Sequence, residues 1–199
     1  MEIEKPRCRR AQMADLDTVV AALADAFQNE PAFSYIVPRA EKRRAALPRA
    51  FRIIVGEDIK AGRVMMTAGG EAATAWRVPG RVHESRLDEA RTLLPFIRIF
   101  GTASLRALKV SNMIKAHLPG EDCWYLHMAG CHSGNQGKGF GGAAIRAGLA
   151  CADAERSKAY LETADPKNLP IYRALGFEIV HTWQVPAGPQ FWGMMRAAR

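Results

Sequence analysis

The chain contains no apolar run approaching the roughly 18 residues a bilayer-spanning helix needs, so an integral helical membrane protein is excluded. Its opening residues, Met1 Glu2 Ile3 Glu4 Lys5 Pro6 Arg7, lack the apolar core of a secretory signal, and the expected compartment is the cytoplasm. Cysteine is scarce: Cys8, Cys123, Cys131 and Cys151 stand too far apart for paired metal-ligand spacing, and no histidine pair accompanies them. No metal site and no disulfide framework are expected, only free thiols filling small apolar spaces. Net charge is +8, which raises nucleic acid as a partner. The basic clusters Arg7, Arg9, Arg10 and Lys42, Arg43, Arg44 have no aromatic residues interleaved and belong to no base-reading motif. No nucleic-acid partner is expected. Repeats, low-complexity stretches and linkers are absent too, so residues 1–199 read as one domain with a single well-buried core.

Periodicity supplies the elements. Residues 7–10 read as an opening strand. A helix follows from Ala14 and Asp15, with Leu16, Val19, Val20, Leu23 and Phe27 at helical spacing, and ends at Glu30 Pro31. A second helix covers residues 41–60, with Pro48 able to divide it. Gly69 Gly70 separates two short apolar runs, a hairpin signal. Residues 85–118 are helical in character, broken at Gly101, and carry two stripes: Leu93, Leu94, Ile97, Phe100, then Leu105, Leu108, Met113, Ile114. Arg98, Arg106, Lys109 and Lys115 lie among them. Core packing against a sheet is the expectation for these stripes, over a basic amphipathic helix lying on a membrane, and no membrane partner is expected. Strands are expected over residues 123–131, 160–163, 176–185 and 190–195.

The run Gln136 Gly137 Lys138 Gly139 Phe140 Gly141 Gly142 lies between the strand ending at Cys131 and a helix over residues 143–155. Glycines let successive amides converge on an anion, and a helix N-terminus adds roughly half a positive charge, so a diphosphate ligand is expected. Two readings compete. Gly137, Gly139 and Gly142 satisfy the GxGxxG dinucleotide spacing, with Glu162 about 20 residues on. Five residues intervene between that strand and Gly137, however, and only 57 residues follow Gly142, too few for a second mononucleotide-binding half. The other reading uses Gln136 as well, as Q-x-x-G-x-G, and gains a second block, Asn168 Leu169 Pro170 Ile171 Tyr172 Arg173 Ala174 Leu175 Gly176 Phe177.

Together these blocks resemble the GCN5-related N-acetyltransferase family, most closely its puromycin N-acetyltransferase-like branch. The likeness extends over nearly the whole chain, through Ala26 Phe27 with Glu30 Pro31, Ala75 Trp76 with Pro79 Gly80, Trp124 Tyr125 Leu126, and Phe191 Trp192 Gly193 Met194. It implies an α/β fold of the acyl-CoA N-acyltransferase type: a mixed central sheet of about six to seven strands with helices on both faces. It implies acetyl-CoA as donor, a small-molecule amine as acceptor, direct attack in a ternary complex, and a monomer or homodimer. A non-catalytic acyl-CoA-sensing module and, further off, a nicotinamide-dependent oxidoreductase are the alternatives.

The resemblance also assigns roles. Amides of Gln136, Gly137, Lys138, Gly139, Phe140, Gly141 and Gly142 would hold the diphosphate. A bulge in the central strand, expected around Met128, Ala129, Gly130 and Cys131, would free backbone groups for the pantetheine arm, with Gly130 easing the distortion or merely relieving packing. Tyr172 would protonate the departing thiolate, and Asn168 would turn to coenzyme A or cap a short helix. Glu30, Glu162 and His127 are the candidate bases. The helical insertion over residues 85–118 would wall the acceptor pocket, and Phe27, Phe33, Tyr35, Trp76 and Tyr125 are aromatic candidates there. His132 Ser133 Gly134 Asn135 stands where Asp, Pro and Glu are usual in the family, a change expected to soften the entry to the glycine loop.

Overall fold

The computed structural model describes residues 6–83 and 86–199, and for 86–92 the backbone only. The residues on which the secretory reading rests, 1–5, and Ser85, where the long helical segment was expected to begin, lie outside the described residues.

Seven strands form one sheet. β1 (Cys8–Arg10), β2 (Val64–Thr67), β3 (Ala72–Arg77), β4 (Trp124–Cys131), β5 (Ala159–Thr163), β6 (Glu178–Gln184) and β7 (Gln190–Arg196) are ordered β1-β2-β3-β4-β5-β7-β6. Every pairing is antiparallel except β4 with β5. That single parallel pair requires a crossover, supplied by α6 (Phe140–Ala154). A mixed sheet of this order is not the parallel doubly wound sheet a dinucleotide fold needs, so the GxGxxG reading loses its structural context.

Helices cover both faces. α1 (Leu16–Ala26) and α3 (Ala40–Lys60) pack Val19, Leu23, Leu47, Phe51 and Val55 against Val64, Met66, Ala73 and Ala75. Pro48 does not divide α3, which runs unbroken through it. Two glycines set how closely helices approach. A Cβ on Gly130 would come within 2.9 Å of both Ala26 and Leu23, so its bareness lets α1 rest on β4. On the opposite face a Cβ on Gly148 of α6 would lie 2.2 Å from the Trp76 indole, itself fully buried.

Glu30 Pro31 closes no helix. It opens a short one, α2 (Pro31–Ile36), where Pro31 occupies the first turn and Glu30 accepts the Phe33 amide at 2.9 Å. α4 (Arg86–Phe100) and α5 (Ser104–His117) are separated by one 3₁₀ turn at Gly101, whose φ of 54° favours glycine. Their stripes do not pack as expected. Val110 is buried, and Phe100, Met113 and Ile114 join a cluster with Ile36, Trp183 and Phe191, but Leu93, Leu94, Ile97, Leu105 and Leu108 face outward. Helical period alone marks an apolar face without saying which side of the helix the sheet lies on.

Gly148→Ala is expected to destabilise the protein by roughly 1–3 kcal/mol, because the indole of Trp76 has no room to retreat. A urea midpoint unchanged from the parent chain would contradict this contact.

Candidate active site

The central feature is a pair of strands that part. β4 and β5 pair only over three residues, Trp124 with Ala159, Tyr125 with Tyr160, and Leu126 with Leu161. Beyond Leu126, β4 stays bound to β3 as far as Cys131 but has no partner on its other edge. The register against β3 jumps at the same place: Trp76 faces Leu126, and Ala75 faces Met128. His127 is therefore the bulged residue, one position before the expected Met128. Gly130 takes no part in the distortion, its bareness being needed by α1. The backbone of Met128, Ala129, Gly130 and Cys131 then lines the open side.

After β4 the glycine run leads into a helix. Gly137 and Gly139 take φ of 77° and 87°, and Gly139 is the N-cap residue of α6, so Phe140, Gly141 and Gly142 form its first turn. The helix begins three residues earlier than periodicity indicated. Gln136 donates from Nε2 to the Cys131 carbonyl at 3.2 Å and ties the loop to the end of β4. Lys138 donates to the Gly134 carbonyl at 2.8 Å, folding the loop on itself. Arg146, which sequence reasoning passed over, lies one turn along α6, with its guanidinium 3.3 Å from where a Cβ on Gly142 would stand. A basic residue four positions after the last glycine was the signal for it. The unusual loop is not slack: the Ser133 amide donates to Asp25 of α1 at 2.5 Å, and His132 Nδ1 lies 3.5 Å from the same carboxylate. Proline's rigidity is replaced by this anchor.

The parted end of β5 carries Glu162. It follows directly after Leu161, and Tyr125 of β4 donates its hydroxyl to Glu162 Oε1 at 2.6 Å. The other oxygen, Oε2, is buried without a hydrogen-bond partner among the described residues. Burial pushes this carboxyl up to about 7, and the Tyr125 hydrogen bond and Arg77 only partly oppose the rise. Tyr125 itself is driven upward by burial and by the neighbouring Glu162.

His127 and Glu30 are placed otherwise. His127 turns to α3, where its Nε2 lies 3.0 Å from Asp58 Oδ2, and both side chains are buried. Asp58 was not singled out by the sequence. Glu30 is raised by burial, while its bond to the Phe33 amide holds it as a helix cap.

Tyr172 stands in α7 (Leu169–Ala174) and is buried in a cluster with Leu126, Leu161 and Phe177. It packs edge-on against Phe177 at 6.2 Å, and its hydroxyl makes no hydrogen bond among the described residues. Burial, Glu162, Asp165 and Glu30 together push its phenol upward, so it stays protonated at neutral pH. Asn168 occupies the N-cap position but makes no capping bond with its side chain. Asp165 caps the 3₁₀ turn before it, residues 166–168, accepting the Lys167 amide at 3.0 Å.

No protein-family profile matches the chain. An uncharacterized N-acetyltransferase of Schizosaccharomyces pombe is 27% identical over 180 residues, spanning 85% of this chain and 73% of its own length. Among solved structures, an acetyltransferase of Corynebacterium glutamicum related to histone acetyltransferase HPA2 superposes with a TM-score of 0.71 at 24% identity, covering 98% of this chain and 97% of that one. An arylalkylamine N-acetyltransferase of Aedes aegypti superposes at 0.63 with 13% identity (97% and 99% covered). A polyamine N-acetyltransferase of Drosophila melanogaster that forms N-acetylagmatine superposes at 0.58 with 12% identity (96% and 99% covered). The chain has the acyl-CoA N-acyltransferase fold.

Arg146→Ala is expected to weaken coenzyme A binding about tenfold at low salt and less at high salt, since the lost interaction is a screened charge pair. Titration calorimetry at two ionic strengths checks it; equal affinity for both proteins would remove Arg146 from the site.

Proposed function

We propose that this chain, an N-acetyltransferase of the GCN5-related kind, transfers acetyl from acetyl-CoA to the amine of a small molecule by direct attack, with Glu162 as base. The observation that carries the reading is Glu162: a buried carboxyl near pH 7, beside the strand gap, with one oxygen held by Tyr125 and the other unclaimed.

The residues present suit the donor. Bare amides of residues 137–142 and the Arg146 guanidinium would take the diphosphate, and the unpaired edge of residues 128–131 would pair with the amide-bearing arm. When bound, the thioester supplies an activated acetyl group.

The chain's own task begins with the proton. An alkylammonium titrates near 10 and must be neutral to attack. The surroundings that raise Glu162 also lower an ammonium brought beside it, narrowing the gap between the two groups. Glu162 Oε2 accepts that proton, while the Tyr125 hydroxyl keeps the carboxylate oriented. A free amide on the bulged edge stabilises charge growing on the carbonyl oxygen. Tyr172, held protonated, offers its hydroxyl to the sulfur as the carbon–sulfur bond breaks. His127 and Glu30 serve as positioning residues, the first fixing the bulge to α3 and the second capping α2. Asn168, whose side chain makes no capping bond, would turn to the donor.

The kcat/KM profile is expected to rise with pH through about 7, because only the ionised Glu162 accepts a proton. Tyr125→Phe moves that limb upward, since the lost hydrogen bond stabilised the carboxylate. Glu162→Gln removes the limb and lowers kcat/KM about a hundredfold or more. Tyr172→Phe lowers kcat at least tenfold while leaving coenzyme A affinity nearly unchanged. Thiol release from acetyl-CoA with a panel of amines measures all three, and a Glu162→Gln protein with the parental profile would refute the assignment.

A further inference from the structure

The charge of this molecule is unevenly placed. Residues 39–56 hold six basic residues against one acidic, and residues 92–120 hold four basic and no acidic. Taken whole, α3 (six basic, three acidic), α4 (three basic, two acidic) and α5 (three basic, none acidic) carry a surplus of seven, nearly all of the chain's net charge of +8. All three helices belong to one side of the sheet. The anion-binding loop and α6 belong to the other, so the donor does not explain this charge.

The same helical layer carries unpartnered apolar surface. Leu105 is 75% exposed, Leu94 63%, and Leu93 and Leu108 each 50%, with Ile97 close behind. Exposed around them are Arg44, Arg49, Arg98 and Arg106. Two of the basic side chains fasten the hairpin to its support: Lys109 donates to the Pro186 carbonyl at 2.7 Å and Arg106 to the Tyr35 carbonyl at 3.3 Å. The aliphatic side chains therefore stand out from helices that are tied down beneath.

We propose that the α3–α4–α5 layer docks peripherally on an anionic lipid bilayer, its leucines and isoleucine entering the headgroup boundary and its arginines meeting lipid phosphate and carboxylate. Charge complementarity selects this occupant. A second copy of the chain would set two strongly basic faces against each other, and a nucleic acid would leave five aliphatic side chains without apolar contact. Bilayer interfaces accept both kinds of group at once. No described helix is long and apolar enough to cross the membrane.

Sedimentation of the full chain with vesicles tests this directly. Vesicles of phosphatidylcholine mixed with phosphatidylserine are expected to bind at least tenfold more protein than phosphatidylcholine alone, and added salt should release it. Leu94→Glu with Leu105→Glu should cut binding at least tenfold while leaving the coenzyme A-induced rise in melting temperature as in the parent, which separates lost docking from lost folding. Indifference to phosphatidylserine would overturn the proposal. So would concentration-dependent dimers that the same two substitutions dissolve, or tighter binding to duplex DNA that they leave intact.

Discussion

The short parallel contact between β4 and β5 governs the rest of the site. Three residue pairs hold the strands together, and the bulge at His127 then turns the edge of β4 away while β3 keeps its other edge. Beyond Leu126 that edge of β4 has no strand partner among the described residues. Glu162 follows the last residue of β5 that pairs with β4, and its buried side chain there meets the Tyr125 hydroxyl. The open edge of β4 and the place of Glu162 thus lie at one backbone irregularity.

Around that irregularity the packing is unforgiving. Gly130 and Gly148 let α1 and α6 close on opposite faces of the sheet. Asp25 at the end of α1 then holds the loop that leads to the glycine run, and the buried Asp58 of α3 lies 3.0 Å from the bulged histidine. The helices on one face therefore fix the entrance of a binding loop whose own helix lies on the other. A static scaffold of this kind suits a reaction whose demands are mainly proximity and the removal of one proton.

Some of this was legible in the sequence. Glycines followed by a helix, then an asparagine, tyrosine and glycine block, identify two anchors far apart in the chain, because anion binding and a short helix each demand particular residue types. The strands on either side could be named from apolar runs. Register could not: nothing in His127 or Met128 says which is extra, since the bulge is decided by what β3 offers opposite. Glu30 Pro31 shows the same limit, because a proline marks a helix start as well as an end, and the choice rested on whether residues 31–36 find a partner in Trp183 and Phe191.

The carboxylates make the physical point most clearly. Glu30 and Glu162 are indistinguishable as sequence, and both are raised by burial in the folded chain. What separates them is the occupation of their oxygens. Glu30 accepts a helix amide on Oε2, which favours the charged form and holds it as the cap of α2. Glu162 is held by a single phenol on one oxygen and retains the other, so its charge is oriented but not consumed. Proton transfer needs that asymmetry: a carboxylate satisfied on both oxygens is a structural element, and one satisfied on neither would not ionise near neutrality in such surroundings. The parallel register supplies the phenol: Tyr125 lies beside Tyr160 in the pairing and reaches Glu162 two residues further along β5.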